Sequence, residues 1–330
     1  MSSKKKNIYV YLGKVILVTL LIVLLLRTFF LESFSVSSAQ MEMTLLKGDK
    51  ILINKTAYGI RMPVTLLSIP FTFDKIFGIR SYSATLQAPY KRFFARSVDR
   101  DDIVLFNNPL ETNKPLDKRN LLLSRCVALP GDSLRVENGL FIINGRPYSC
   151  CPNAMEEYSF KALAKKELDD IAKELQISIP LGTVQGDSVI THLSKYDAFV
   201  LNESLSDSLT LVPCKKDTLI SHTFLIPFKG KIIDMDENNL IMYKQMILHE
   251  QRGKDVRIEK GELLIDGIKQ VEYTFEDSYY WMLSDNSVHS TDSRSIGFIP
   301  FSSIVGKASL IWYSSDENGT RKERCFSSIK

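Results

Sequence analysis

A run of 12 uncharged, mainly apolar residues lies near the N-terminus, at positions 15–26. A membrane-spanning helix needs about 20 such residues, a length that this run reaches only if it extends over positions 8–31. Lys14 and Arg27 then lie near the two ends, where their long side chains can reach the lipid headgroups. The pattern therefore predicts one transmembrane helix at the start of the chain.

Two interpretations of this N-terminal segment are open. Lys4, Lys5 and Lys6 precede it and favour a cytoplasmic N-terminus, with the rest of the chain outside. A basic start, a short apolar core and the sequence SSA before Gln40 are also typical of a cleavable signal peptide. The 13 residues between the apolar core and Gln40 form a long spacer for a cleaved signal. The anchor is therefore the favoured interpretation.

Short apolar runs bounded by turn residues, and alternation of apolar and polar residues in two stretches, indicate that much of the remaining chain forms β-strands. Gly48 and Asp49 form a turn that leads into a strand, and the Pro-Gly-Asp sequence at 130–132 ends another strand. The predicted strands fall within positions 41–60, 101–106, 120–132 and 304–314. RVENGLFIING at 135–145 and RIEKGELLIDG at 257–267 are similar to each other, and both predict a β-hairpin.

Helical spacing is confined to two places. One predicts a helix over residues 160–175 from the apolar positions Phe160, Leu163, Leu168, Ile171 and Leu175. The other predicts a helix from Asp236 through Leu240 and Tyr243 to Ile247. The first helix indicates an α/β insertion between two β segments.

These patterns predict a mostly β protein with antiparallel sheets and an α/β insertion, preceded by one transmembrane helix. The predicted divisions are residues 1–32 for the cytoplasmic start and anchor, 33–151 for the first part of the β domain, 152–225 for the insertion and 226–330 for the second part of the β domain.

Composition and charge exclude several functions. The net charge is +4, mostly from Lys4, Lys5 and Lys6, so a nucleic-acid partner is not expected. No zinc-type Cys/His spacing, P-loop, GxGxxG or HExxH motif occurs, and neither a metal nor a cofactor is expected. Five cysteines allow one disulfide in an exported domain, joining Cys150 or Cys151 to Cys214; free buried thiols are the equally weighted alternative.

Four stretches in order resemble the motifs of signal peptidase I, the membrane-bound serine endopeptidase that removes signal peptides. They are MEMTLLKGDKILINKTAYGIRMP, RDDIVLF, SRCVALPGD and SDNSVHSTDSRSIGFIP. The positions that keep the family's motif residues are Met41, Gly48, Asp49, Arg125, Pro130, Gly131, Asp132, Asp285, Asn286, Asp292, Ser293 and Arg294. The resemblance covers about residues 8–150 and 225–314, and it implies an antiparallel β domain lying against the bilayer surface.

The resemblance also implies a chemistry, in which a serine hydroxyl attacks the peptide carbonyl and a neutral buried lysine takes its proton. In this chain the nucleophile position is Gln40 and the lysine position is Ser124. An amide is neither nucleophilic nor basic near neutral pH, and a serine cannot act as the base. Ser38, at the oxyanion-assisting position, and Ser290, at the position that orients the lysine, are retained.

Displaced catalytic groups are an alternative. A shift by two or three residues offers Ser38 or Ser37 as nucleophile, with a lysine folding in as base from Lys50, Lys55 or Lys118. Ser287, His289, Ser290 and Asp292 also suggest a Ser-His-Asp triad, but triad members usually come from separate segments and no GxSxG motif occurs. A polar loop is the favoured interpretation of this region. Asp285, His289 and Asp292 could also bind a metal, but a polar loop is the favoured interpretation of these residues too.

We therefore expect a catalytically inactive signal-peptidase-like membrane protein that binds extended signal-peptide-like segments by strand addition or pairs with an export partner. The alternatives are an active signal peptidase with a displaced dyad and a structural scaffold in an export complex. The expected location is the cytoplasmic membrane, single-pass, with the main domain outside. Membrane lipid is an expected partner of apolar side chains such as Phe71, Phe73, Phe77, Phe93 and Phe94, with core packing of most of them as the alternative.

Overall fold

The structure is a computed structural model, and strands contribute more of it than helices do. The paired strands among the described residues run antiparallel, which confirms the predicted mostly β class. The described residues are 2–42, 44–69, 75–76, 79–137, 140–148, 155–175, 177, 179–180, 182–205, 210–214, 223–259, 261–286, 291–317 and 319–329.

The elements are numbered in chain order. The helices are α1 (Ser2–Phe29), α2 (Lys165–Glu174), α3 (Lys195–Ser204), α4 (Glu237–Glu250) and α5 (Ser293–Ile296), with short 3-10 turns at Leu116–Lys118, Ala162–Ala164, Phe301–Ser303 and Lys322–Arg324. The strands are β1 (Leu31–Ser35), β2 (Asp49–Asn54), β3 (Ile60–Arg61), β4 (Lys75–Ile76), β5 (Ile79–Arg80), β6 (Arg92–Phe93), β7 (Ile103–Asn107), β8 (Leu121–Ala128), β9 (Ser133–Glu137), β10 (Leu140–Ile143), β11 (Arg146–Pro147), β12 (Met155–Lys161), β13 (Thr183–Gln185), β14 (Ser188–Ser194), β15 (Val212–Pro213), β16 (Thr223–Leu225), β17 (Ile232–Asp234), β18 (Val256–Glu259), β19 (Glu262–Ile265), β20 (Ile268–Gln270), β21 (Glu272–Thr274), β22 (Tyr279–Leu283), β23 (Ile299–Pro300), β24 (Ile304–Asp316), β25 (Gly319–Thr320) and β26 (Ser327–Ser328).

Helix α1 is long and apolar enough to cross a membrane. Its segment Tyr9–Phe29 has 21 residues and a mean hydropathy of 2.5, and none of its apolar window is buried by the rest of the protein. Lys55 joins the end of the helix to the domain, because its ammonium donates to the Arg27 carbonyl at 3.0 Å and pairs with Glu32 at 2.8 Å. A cation at this place stabilises the negative end of the helix dipole.

The main sheet carries the motif strands predicted from the sequence. Its central order is β1-β2-β24-β7-β8-β22-β23, and the 13-residue strand β24 pairs with both β2 and β7. Ile51, Ile53 and Leu105 are fully buried on one face of this sheet. Strands β2, β7 and β8 each have a paired strand on both sides in this sheet. The sheet therefore fixes the positions at which the loops next to these strands begin and end.

Both predicted hairpins are confirmed. Strands β9 and β10 pair within residues 133–143, and β18 and β19 pair within residues 256–265. The second predicted helix is also present as α4, for which the Asp236 carboxylate accepts a hydrogen bond from the Asn239 N–H at 2.7 Å. This is a standard N-cap, so the helix begins where the sequence predicted.

The insertion forms its own four-stranded sheet, in the order β13-β14-β12-β15, covered by α2 and α3. The predicted helix over 160–175 is wrong at its start: Phe160 lies in β12 and the α-helix begins at Lys165. Tyr158 and Phe160 are both buried two residues apart, as on a strand, whereas Leu163 is 95% exposed. Strand β16, the last three residues of the predicted insertion, pairs with β9 and so belongs to the hairpin's sheet. Cys214 is a free thiol, and Cys150 and Cys151 lie outside the described residues.

Candidate functional site

Gln40 lies in the loop between β1 and β2, with its side chain turned inward. It is 8% exposed, and its amide nitrogen donates to the Thr291 carbonyl at 2.7 Å. Its own carbonyl accepts a hydrogen bond from the Asn286 N–H at 3.1 Å. Met41 follows and is buried, with the Leu45 N–H bonded to its carbonyl at 2.7 Å. Gln40 is thus fixed through its side chain by Thr291 and through its backbone by Asn286.

Ser124 lies in strand β8 and has no exposed surface. Its hydroxyl lies 3.4 Å from the hydroxyl of Ser284, at the end of β22. Gln40 and Ser124 therefore contact the same short segment, one at Asn286 and Thr291 and the other at Ser284. Ser38 is exposed, and Ser290 lies outside the described residues together with Ser287 and His289.

A buried ion pair joins three of the motif segments. The Arg125 guanidinium donates to both Asp285 oxygens, at 2.9 and 2.8 Å, and the two side chains are 6% and 0% exposed. The Thr44 hydroxyl donates to the same carboxylate at 2.5 Å and accepts from Arg125 at 3.2 Å. This bidentate geometry fixes direction as well as distance. It holds the Gln40 loop, β8 and the end of β22 together.

Asp292 organises the turn that follows. Its carboxylate accepts the Ser284 N–H at 2.8 Å and the Arg294 guanidinium at 2.5 Å, and the residue is fully buried. The Ser293 hydroxyl accepts the Met282 N–H at 2.9 Å. In the part of this turn that the structure describes, Asp292 and Ser293 thus accept hydrogen bonds from backbone N–H groups of β22 and of the residue after it.

Gly48 and Asp49 tie the other end of the Gln40 loop to strand β24. Asp49 is fully buried and accepts hydrogen bonds from Ser314 at 2.6 Å, from Arg324 at 2.6 Å and from the Leu46 N–H at 2.9 Å. Burial by itself would raise the pKa of the Asp49 carboxyl. The hydrogen bonds from Arg324, Ser314 and the Leu46 N–H outweigh it, so that the pKa lies below its ordinary value.

The Pro130-Gly131-Asp132 turn joins β8 to the first hairpin. Asp132 accepts the Leu129 N–H at 2.6 Å and pairs with Arg100 at 2.9 Å, and Gly131 has a φ of +93°, which glycine tolerates. This turn lies at the end of β8 that is further from Ser124, so its residues shape the fold and do not reach the site.

The three lysines considered as replacement bases all have contacts elsewhere. Lys50 lies over the rings of Trp312 and Tyr313, at 5.7 and 5.2 Å. Lys55 holds the end of α1, and Lys118 is buried with its ammonium 5.7 Å from the ring of Tyr82. None of these contacts is with Ser124 or with Gln40. They therefore argue against the alternative in which one of these lysines serves as the catalytic base.

An unpaired strand edge lies next to Ser124. Residues 121–125 of β8 pair with β7 on one side, but β22 pairs only with Arg125, Cys126 and Ala128 on the other. Among the described residues, no strand covers the β22 side of residues 121–124. On the far side of the 284–286 segment the insertion comes close, because the Met155 N–H donates to the Asp285 carbonyl at 3.0 Å. The part of β8 without a strand partner on this side is thus bounded by Ser284, whose hydroxyl contacts that of Ser124.

The contacts that Gln40 and Ser124 make among the described residues are hydrogen bonds. In the described part of the site, the nucleophile position carries a buried amide and the base position a buried hydroxyl, and no His, Cys, Asp and Glu group there could hold a metal. Sequence reasoning missed Thr44, Ser284, Thr291 and Arg324 as partners of these residues. Thr44 and Ser284 stand inside the quoted motifs, whereas Arg324 carries no sequence signal.

Comparison with known proteins gives a consistent result. The chain matches the family described as "Signal peptidase, peptidase S26" over residues 9–224 and 225–313. It is 26% identical over 321 residues to the signal peptidase I of Buchnera aphidicola subsp. Baizongia pistaciae, covering 94% of this chain and 80% of that protein. It is 24% identical over 317 residues to the signal peptidase I of Haemophilus influenzae, covering 94% and 73%. A third relative, from Pseudomonas aeruginosa, is 34% identical over 131 residues, which are 40% of this chain and 36% of that protein. From its motifs, its antiparallel β domain and this match along nearly its whole length, the chain belongs to the signal peptidase family, peptidase S26.

Proposed function

We propose that this protein is a catalytically inactive signal-peptidase homologue that binds extended, signal-peptide-like segments without cleaving them. The observation that carries the proposal is the pair of buried side chains at the dyad positions, Gln40 and Ser124. Hydrolysis by a Ser/Lys dyad needs a hydroxyl at the carbonyl and a neutral amine beside it. Loss of both groups costs on the order of a millionfold in a comparable serine protease.

Peptide binding is supported by the unpaired edge of β8 at residues 121–124. An extended peptide can add a strand to such an edge through backbone hydrogen bonds, which do not depend on the substituted side chains. The edge leads to Ser124 and ends at Ser284, beside the loop that carries Gln40. A bound peptide would therefore lie where the family's scissile bond lies.

The proposal includes a topology. Helix α1 anchors the protein, the lysines at positions 4–6 keep its start in the cytoplasm, and the β domain lies outside. Signal-peptide-like segments reach that side of the membrane during export, so the unpaired edge would meet them there.

The binding test uses the full-length protein in detergent and a fluorescently labelled peptide that contains a secretory signal with its cleavage site. We expect saturable binding by anisotropy and no cleavage product by mass spectrometry. A peptide of the same sequence, N-methylated at alternate amides, is the control and should bind at least about tenfold more weakly, because strand addition uses those N–H groups. Equal binding of the two peptides would refute strand addition, and no binding of either would leave only the scaffold hypothesis.

The inactivity test restores the dyad. The hydroxyl of Ser284 lies 3.4 Å from that of Ser124, in the space that a lysine side chain would need. We therefore expect Gln40→Ser, Ser124→Lys and Ser284→Gly together to give detectable cleavage of the same peptide. Gln40→Ser alone, which lacks a base, should remain inactive. Cleavage by the unaltered protein that Ser37→Ala or Ser38→Ala abolishes would instead establish a displaced dyad.

A further inference from the structure

A cavity of about 420 Å³ lies between the end of α1 and the β domain, at the start of β8, where Leu121 lines it. The last turns of α1 form one wall through Leu24, Arg27 and Phe29, and Leu121 and Val305 of the main sheet lie on another. The segment 61–69 closes it. The cavity is therefore at the place where the chain leaves the predicted transmembrane segment.

The lining of the cavity has an excess of positive charge. It includes four basic residues, Arg27, Lys55, Arg61 and Lys118, and two acidic ones, Glu32 and Asp117, so its formal charge is +2. Both acidic groups are engaged with other residues of the lining and not with Arg61. Glu32 pairs with Lys55 at 2.8 Å, and Asp117 accepts the Thr65 N–H at 2.9 Å and the Thr65 hydroxyl at 2.5 Å.

Arg61 is the least compensated of these cations. One guanidinium nitrogen, Nη1, donates to the Asn107 side chain at 2.8 Å, but Nη2 is buried and has no partner among the described residues. No carboxylate within that part of the chain pairs with Arg61. Burial and the nearby charge of Arg92 lower the pKa of the Arg61 guanidinium to about 10, so it remains protonated at neutral pH. A buried cation whose N–H groups are unsatisfied is costly unless an anion accompanies it.

The apolar part of the lining continues onto an exposed surface. Leu66 and Ile69 contribute to the cavity and are 62% and 53% exposed, and the neighbouring Leu67 is 56% exposed. Phe93 and Phe94, expected from the sequence to touch lipid, are also exposed, at 51% and 82%. Exposed apolar side chains on the segment that faces the end of α1 match a surface in contact with acyl chains.

We propose that this cavity binds the phosphate of an anionic phospholipid, with the headgroup beside Arg61 and the acyl chains along α1 and Leu66. The positive lining accounts for the phosphate, and the continuous apolar surface favours a lipid over a soluble phosphate. The inference rests on the membrane anchoring in the proposed function but not on peptide binding or inactivity, so the tests of those two claims can fail without affecting it.

The test measures lipid binding to the detergent-solubilised full-length protein by native mass spectrometry. We expect one tightly held phosphatidylglycerol and at least about fivefold lower occupancy by phosphatidylcholine, which carries no net charge. Arg61→Gln should reduce the affinity for phosphatidylglycerol about tenfold or more, whereas Arg61→Lys, which keeps the charge, should lose less. Arg146→Gln, which removes the same charge from an exposed hairpin, is the matched control and should have no effect.

Three outcomes would overturn the proposal. They are equal binding of the two lipids, unchanged binding in a folded Arg61→Gln variant, and displacement of the lipid by millimolar glycerol 3-phosphate, which would show a site for soluble phosphate. If Arg61→Gln does not fold, the comparison of the two lipids and the Arg61→Lys variant still decide the question.

Discussion

At the scale of single residues, the site is defined by substitutions that are well accommodated. Gln40 hydrogen-bonds through its amide to the Thr291 carbonyl, and Ser124 fits a place with no solvent access. Both side chains therefore add contacts to the fold. The identity of the substituted positions follows from the sequence motifs alone, but the inward direction of Gln40 does not, because an amide in a loop gives no indication of its partner.

Gly48 gives a sharp test of how tightly the Gln40 loop is held. Its φ is +93°, and a Cβ at this position would lie 1.9 Å from the Ser315 carbonyl oxygen. We expect Gly48→Ala to lower the free energy of unfolding by more than about 3 kcal/mol, since backbone strain adds to a backbone collision. Chemical denaturation followed by circular dichroism measures this change.

Gly186→Ala is the matched control for Gly48. Gly186 also has a positive φ, +60°, but no atom lies within 4 Å of where its Cβ would be. Only the conformational cost of about 1–2 kcal/mol should remain. Similar losses in the two variants would show that the loop can move away from β24.

At the scale of elements, strands were easier to predict than helix boundaries. Alternation identified both hairpins, whereas β7 and β8 were identified as short apolar runs bounded by turn residues, because both of their faces are buried. The helix predicted over 160–175 began too early because Phe160 and Leu163 fit a helical spacing by coincidence, and only the pairing of β12 with β14 shows that Phe160 is in a strand. The unpaired edge of β8 depends on where β22 leaves the sheet, which no local pattern in the sequence encodes.

The C-terminal segment 319–329 stabilises the Gln40 loop through hydrogen bonds of Arg324. Arg324 donates to the Asp49 carboxylate at 2.6 Å and to the Thr44 carbonyl at 3.0 Å. We expect Arg324→Gln to lower the free energy of unfolding at pH 7 by about 1–3 kcal/mol, because the buried Asp49 loses the nearer of its two charged partners and keeps only Arg321, at 3.6 Å. Arg257→Gln, which breaks an exposed pair with Asp255, is the control and should leave the unfolding midpoint nearly unchanged.

The same pair predicts a pH dependence. The folded-state pKa of Asp49 is lower than the unfolded value of about 3.9, so its stabilising contribution is complete above that value and is lost as the pH falls through the folded pKa. The difference in stability between the unaltered protein and Arg324→Gln should therefore shrink below about pH 4. Urea midpoints measured between pH 2.5 and 7 check this, and a difference that stays constant over the range would contradict it.

At the scale of the whole molecule, family and fold class were predictable from the sequence. The four ordered motifs, with their spacing, identify the peptidase S26 family, and the match over residues 9–313 confirms it. The relation between α1 and the β domain was not predictable, because it depends on the contacts of Lys55 with the helix end, and any of several lysines could have filled that place.

The topology is tested in spheroplasts of a bacterial host that expresses the full chain. We expect added protease to digest the β domain and to leave a small fragment that contains the lysines at positions 4–6 and α1. Lysed cells provide the control for complete digestion. A domain that stays protected in intact spheroplasts, or a mature protein that begins at Gln40, would rule out the anchored orientation.

The ion pair between Arg125 and Asp285 has an evolutionary consequence. Removing one member of a buried pair costs about 3–5 kcal/mol, which is a large part of the stability of an ordinary domain. A lineage that lost the reaction would still be selected to keep Arg125, Asp285 and Thr44, simply in order to fold. The presence of these three residues is therefore explained by folding and is not by itself evidence that a protein cleaves peptides.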